Sequence, residues 1–457
     1  MPQRTADGIK VLISSETDLS VLDYVCRRLT DQPAIERLSA EQLQTAILQQ
    51  FKSDVRDEDS GYERESALKA GPNNNKVVER INNILNECIA ERASDIHFEP
   101  QERYMTCRAR VDGLLVNKQT IVREEVAETV SRIKIMAGLD IAEKRRPQDG
   151  RIRFPYDNRV IDIRVSIIPT DFGEKTVLRI LDKKSLKLSL ESLGFSDLQL
   201  TIFKNGIQSP NGIILVTGPT GSGKTTTLYA AITHLKSPDV NISTVEDPIE
   251  YNLEGINQTQ IKPEINLTFS SMLRALLRQD PDILMVGEIR DRETLDIAIR
   301  ASLTGHLVLS TIHTNSAIAT LGRLVDMGGE RTLLASTIRT IVAQRLVRQN
   351  CPRCSESGLD ESNTAAARKL NIVLGKDVKR GKGCQYCNNT GFRGRTAIYE
   401  VLHIDEPVKN AITSGLSEMQ TLRVAVDNGF ETMQHVAQNI INAGVTTPAE
   451  VLREINI

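Results

Sequence analysis

Two hydrophobic periods alternate along this 457-residue chain. Over residues 20 to 52, VLDYVCRRL and EQLQTAILQQF carry helical spacing, and the polar run KSDVRDEDSGYERESALKAGPNNNK follows. That pattern predicts a small helical module and linker over 1–74. From Val77, VVERINNILNECIAERA reads as an amphipathic helix. DIHFEP, YMTCRARVDGLLV, RIRFPY, RVIDIRVSIIP and TVLRIL then alternate as strands around turns at Asp112-Gly113, Gly150 and Asp157-Asn158. These predict an α/β domain over 75–186. From Gly212 the short apolar runs IILVTG, NISTVED, DILMVGE and HLVLSTI are separated by helical stretches, the pattern of a mostly parallel sheet flanked by helices, over 187–350. A cysteine-bracketed segment occupies 351–397. The region over 398–457 is expected to be a C-terminal helical one, with helices from about Asp405 and Thr446-Thr447-Pro448 as a helix start.

Composition narrows the classes. Hydrophobic residues make up 40% and charged ones 25%, which excludes wholesale disorder, and a net charge of −2 lacks the basic excess of a nucleic-acid binder. The N-terminus has no secretory pattern, and no apolar run approaches the ~20 residues of a membrane span, so membrane contact is expected only through partners. Seven cysteines without a signal peptide fit a reducing cytoplasm, and Cys26, Cys88 and Cys107 read as plain core or strand positions.

The strongest chemical signal is Gly218-Pro219-Thr220-Gly221-Ser222-Gly223-Lys224-Thr225-Thr226, which follows an apolar strand and opens a helix. This is a phosphate-binding loop in its required context. Glycines let backbone N–H groups curl around phosphates, Lys224 can reach the β and γ oxygens, and the Thr225 hydroxyl can ligate Mg²⁺ beside the positive end of the helix. The expected ligand is therefore ATP with Mg²⁺. Cleavage also needs acids, and Glu246 and Glu288 end later strands. Gly287 stands where many phosphate-loop ATPases carry a metal-binding Asp. His306 and His313 bracket another strand, whose Ser310, Thr311 and Thr314 are candidates to reach a γ-phosphate. Cys351, Cys354, Cys384 and Cys387 form two CxxC pairs with 29 residues between them. The spacing suits a closed tetrahedral Zn²⁺ site; a redox CxxC normally accompanies a thioredoxin-like βαβ, which this segment lacks.

Over about 75 to 455 the chain resembles the type II secretion and type IV pilus-assembly ATPases. The motifs that carry the resemblance are SDIHFEP at 94–100, RVDGLL at 110–115, RRPQDGRI at 145–152 and DIRVS at 162–166. With them go the phosphate loop, STVEDPIE at 243–250, MVGEIRD at 285–291, SLTGHLVLSTIHTNSA at 302–317, QRLVR, the four cysteines and GFRGRTAIYE at 391–400. The resemblance implies a homo-hexamer of RecA-like domains, each preceded by a PAS-like α/β domain, and it makes Gly287 an ordinary feature.

It also implies that Glu288 and Glu246 activate water and organise the metal. Arg151 and Arg164 would reach the nucleotide from the smaller domain, and His306 and His313 would couple phosphate state to motion. The implied activity is ATP hydrolysis under the cytoplasmic face of the inner membrane, driving pseudopilin assembly and protein export. An inner-membrane platform protein and a membrane-anchored docking protein are the implied partners. The chain departs from the family in its short N-terminal region, which leaves docking through it open. Retraction motors lack the four-cysteine insertion. Pilus extension is the nearest alternative; a RecA-type DNA-dependent ATPase and a zinc-dependent scaffold that binds nucleotide without turnover are more remote.

Overall fold

The computed structural model describes residues 2–5, 8–14, 34–39, 72–182 and 189–455. Its contacts divide into a unit over Met1–Ile84 and a unit over Leu85–Ile457. In the first, β1 (Pro2–Thr5) and β2 (Gly8–Ser14) pair antiparallel, and β3 (Ala34–Leu38) adds parallel to β2. These strands were not part of the expected helical module, although GIKVLIS has the β-branched content of a strand. The two helical-period stretches lie largely outside the described residues, as does Cys26. A helix over Pro72–Ala90 leads into the second unit.

The second unit holds two larger sheets. The smaller has the order β6-β5-β4-β9-β8-β7 and is antiparallel throughout. Its strands are β4 (Asp95–Pro100), β5 (Tyr104–Val111), β6 (Leu114–Val122), β7 (Gln148–Tyr156), β8 (Arg159–Thr170) and β9 (Gly173–Leu181). Alternation decides its faces: Ile96, Phe98, Met105, Cys107, Ile163, Val165 and Leu178 are buried. Intervening positions hold Asp95, Glu99, Arg108, Arg164, Lys175 and Arg179. Cys88 and Cys107 are buried free thiols, in keeping with a core role.

The larger sheet has the order β12-β11-β13-β14-β10-β15-β18. It comprises β10 (Gly212–Thr217), β11 (Ile242–Glu246), β12 (Asn257–Gln260), β13 (Ile283–Val286), β14 (Leu307–Ile312), β15 (Ile338–Asn350) and β18 (Phe392–His403). All neighbours are parallel except β15 and β18. Strands β10, β13 and β14 are buried at every position, as expected where both faces are covered. Along β10, Ile213 and Leu215 enter one core, Ile214 and Val216 the other. Parallel pairing brings the C-terminal ends of β10, β11, β13 and β14 to one edge.

The four cysteines lie on an excursion between β15 and β18 that includes the two-stranded β16 (Ser355–Ser357) and β17 (Lys379–Gly381). β18 crosses the boundary expected at 397/398, so residues up to His403 complete the large sheet before the helices begin. Four helices follow, and Thr447 caps the last by accepting the Glu450 N–H. No helix among the described residues is long and apolar enough to cross a membrane.

Candidate nucleotide site and four-thiol centre

The phosphate loop leaves the C-terminal end of β10 and runs into the helix Lys224–Leu235. Gly218, Gly221 and Gly223 all have positive φ, the left-handed backbone that a tightly turning loop requires and that glycine adopts without strain. Lys224 Nζ folds onto the carbonyls of Gly218 and Pro219 at 2.9 and 3.1 Å. Burial, followed by the nearby Arg345 cation, lowers the Lys224 pKa, while Glu288 opposes the shift. Ser222 Oγ is buried without a hydrogen-bond partner, as a group inside a ligand cradle would be.

Glu246 and Glu288 end β11 and follow β13 at the same edge, but their surroundings differ. Glu246 is 3% exposed and saturated: Thr244 Oγ1 donates to Oε1 at 2.5 Å, Gln258 Nε2 donates to Oε1 at 3.0 Å, and the Tyr229 hydroxyl donates to Oε2. Glu288 is held at one end only. Its Oε1 meets Arg290 at 2.5 Å, while Oε2 is buried without a hydrogen bond and faces His313 Nε2 at 3.4 Å. Of the two acids, Glu288 therefore has a lone-pair face available to a water or metal-bound ligand.

His313 and His306 sit at opposite ends of β14. His313 follows Ile312, which pairs with Thr217 at the root of the phosphate loop; His306 precedes Leu307, which pairs with Gly212 at the far edge. Six strand residues lie between the two positions, which puts their backbones about 23 Å apart. His306 Nδ1 instead contacts Ala301 O at 2.9 Å and Thr304 Oγ1 at 3.1 Å, where the helix Arg292–Leu303 ends. The structure thus brings His313 to the site and leaves His306 away from it. Ser310 and Thr311 also turn elsewhere, donating to Val286 O at 2.8 Å and Gly287 O at 2.7 Å on the neighbouring strand. Buried hydroxyls take the nearest acceptor, and here it is backbone. Thr314 is tied to Thr217 through its N–H at 2.8 Å and its hydroxyl at 2.7 Å.

Arg151, Arg164 and Arg179 occupy one cross-strand row on β7, β8 and β9. Arg164 spans to the loop after β11, donating from NH1 to Glu250 Oε2 at 3.1 Å and from NH2 to Ile249 O. Arg151 is exposed beside it, and Arg179 pairs with Asp95 at 3.0 Å. Sequence reasoning passed over Arg179 and the buried Gln344. The signal for Arg179 was register, which needs the pairing; Gln344 lay inside QRLVR without an assigned role.

The four thiols converge, with all Sγ atoms within 4.8 Å of one another. Adjacent sulfurs are 3.7, 3.8 and 3.9 Å apart, for Cys384 with Cys387, Cys354 with Cys387, and Cys351 with Cys384. A tetrahedron with metal–sulfur bonds of ~2.3 Å has edges of about 3.8 Å, so the spacing fits a closed tetrathiolate ion and is far too long for disulfides. Cys384 N–H points at Cys387 Sγ at 3.2 Å, the kind of backbone support a thiolate takes.

A family model described as Type II/IV secretion system protein matches residues 72–453. The chain is 43% identical to the type II secretion system protein E of Dickeya dadantii, over 99% of this chain and 96% of that protein. It is 50% identical to the type II secretion system protein E of Pseudomonas aeruginosa, over 82% of this chain and 75% of that protein. Identity to the type II secretion system ATPase E of Vibrio cholerae is 46%, with the same coverage. Among solved structures, the Legionella pneumophila ATPase DotB superposes with a TM-score of 0.59 at 23% identity, covering 80% of this chain and 92% of that one. The Yersinia pseudotuberculosis ATPase DotB gives 0.61 at 22%, covering 82% and 92%. These two likenesses concern the fold, a mixed α/β arrangement.

Proposed function

The chain belongs to the type II/IV secretion system protein family, and on that premise we propose a secretion ATPase in which Glu288 activates the attacking water beside the phosphate loop. The observation that carries this reading is the Oε2 of Glu288, buried at the sheet edge without a hydrogen bond and 3.4 Å from His313 Nε2.

The loop 218–226 cradles the phosphates, and Lys224 exchanges its loop carbonyls for the β and γ oxygens. The Thr225 hydroxyl would hold Mg²⁺, which would supply charge neutralisation when bound with the nucleotide; a hard oxygen donor suits that ion. Glu288 accepts the proton of water, and Arg290 holds its other oxygen so that the carboxylate cannot swing away. Glu246, already saturated, organises β11 and its loop. His313 reads the γ-phosphate position. Arg164, with Arg151 beside it, leaves Glu250 to meet charge developing on the phosphates, which a planar guanidinium can pair with two N–H groups at once.

In this reading the larger sheet with its helices is RecA-like and the smaller is PAS-like, with boundaries near 75–186 and 187–350, a four-cysteine excursion from 351 up to β18, and C-terminal helices after β18 ends at His403. Six copies form a cytoplasmic ring, the four cysteines hold a structural Zn²⁺, and the angle between the two sheets changes through the cycle. That motion drives pseudopilin assembly and export through an inner-membrane platform protein, with a membrane-anchored protein docking the ring.

The test is complementation of a secretion-deficient strain of the source organism lacking this gene. The wild-type gene restores protein export to the medium, and Glu288→Gln does not; restoration by Glu288→Gln contradicts the proposal.

A further inference from the structure

Gln344 is 2% exposed and lies on β15, whose Ala343 pairs with Thr217 at the root of the phosphate loop. Both ends of its amide are committed. Nε2 donates to Ser222 O at 2.6 Å, and Oε1 accepts from Thr227 Oγ1 at 2.8 Å. A carbonyl on one side and a hydroxyl on the other fix which way the amide points. The loop rests directly on this residue: a Cβ on Gly218 would lie 2.4 Å from Gln344 O, and one on Gly223 would lie 2.8 Å from Gln344 Nε2.

The Ser222 carbonyl and the Gly223 N–H belong to one planar trans peptide and point in opposite directions. Anchoring the oxygen on Gln344 therefore aims the Gly223 N–H away from that side chain. The next residue works on the opposite side of β15, because strand side chains alternate. Arg345 donates from NH2 to Asn315 O at 3.0 Å, two residues beyond His313. Adjacent residues of a single strand thus hold the phosphate loop and the His313 loop.

We infer that Gln344 is a positioning residue of the nucleotide site: it fixes the Ser222–Gly223 peptide so that its N–H joins the phosphate cradle. The inference rests on the nucleotide reading above. Gln344→Met removes the anchor at similar volume. Thr227→Val orphans the other end of the amide, leaves the Ser222 bond in place, and serves as the structural control. A cradle contact acts on bound ATP before and during cleavage, so its loss appears mainly in KM.

The experiment measures KM and kcat for ATP and the nucleotide-free melting temperature of both variants, with Lys224→Ala alongside. Gln344→Met should raise KM about tenfold while kcat falls less. Thr227→Val should lower the melting temperature comparably yet keep KM near wild type. If Gln344→Met does not fold, Gln344→Glu carries the same test, since it keeps the Thr227 acceptor and sets an oxygen against Ser222 O. An unchanged KM in a folded Gln344 variant, or an equal rise in Thr227→Val, overturns the inference. Wild-type turnover in Lys224→Ala overturns the nucleotide reading instead.

Discussion

Glu288 Oε2 lies 3.4 Å from His313 Nε2, buried and without a hydrogen bond, while the same carboxylate's other oxygen is pinned to Arg290. Glu246 has no such vacancy, because Thr244, Gln258 and Tyr229 occupy both its oxygens. Glu288→Gln should therefore bind ATP with near wild-type affinity and cleave it at least about a hundredfold more slowly, since the amide keeps the shape and loses the base. Glu246→Gln should behave differently, lowering the melting temperature by disturbing a saturated buried cluster. Nucleotide titration with single-turnover cleavage checks the first, and thermal unfolding the second.

Burial, then the Lys224 cation, push the His313 pKa below its ordinary 6.5, so the ring is neutral at neutral pH. As pH falls through that depressed value the ring becomes a cation facing Glu288 Oε2 and competes for the base. Turnover should drop on the acid side, and His313→Asn should move that limb to lower pH. Rates of phosphate release from about pH 5 to 8 provide the check.

Arg164 is bound to Glu250 and to the Ile249 carbonyl, so two roles are separable: a strut between the sheets or a cation that moves to phosphate. Arg164→Ala should slow turnover at least about tenfold and leave ATP affinity within a few-fold. Glu250→Gln releases the guanidinium and should keep most activity. Equal losses in the two variants, measured by steady-state kinetics, would assign the strut alone.

Glu400 on β18 accepts the N–H groups of Ala317 and Met433, at the first turns of two helices, at 3.0 and 2.8 Å. Burial raises its pKa above the ordinary 4.5. Between the two values the folded chain keeps a proton that the unfolded chain releases, so this group's contribution declines as pH rises through that window. Glu400→Gln leaves one N–H facing an amide NH₂ and should cost about 1–3 kcal/mol, with a flatter slope of stability against pH there. Denaturant titrations at several pH values test both parts.

Replacing Cys351 and Cys354 with Ser should release one zinc per chain and loosen residues 351–390, because a closed tetrathiolate contributes folding free energy and has no open position for water. The nucleotide site is built from other elements, so ATP affinity should persist. Metal analysis decides it: less than about half an equivalent of zinc in purified wild-type protein leaves the thiols without this role.

The phosphate loop and the four cysteines were legible because their chemistry is local: consecutive residues, or short knuckles, carry the whole signal. The parallel sheet was legible from the buried runs IILVT, ILMV and LVLSTI. What escaped depends on pairing across long separations. Which of His306 and His313 shares the edge with Lys224 follows from the direction of β14, and the two read alike in sequence. Glu246 and Glu288 also look equivalent until Tyr229 and Gln258 are seen to occupy only the first. The end of the cysteine segment was less legible: β18 runs past 397 and returns beside β15, and TAIYEVLH shows its strand character only against that partner.

The central claim is ATP cleavage at this loop by Glu288, and phosphate release is its most direct measure. Purified wild-type protein with saturating ATP and magnesium should turn over steadily, while Lys224→Ala and Glu288→Gln, folded to the same melting temperature, should lose at least about a hundredfold. Release at the wild-type rate from either variant would contradict the account.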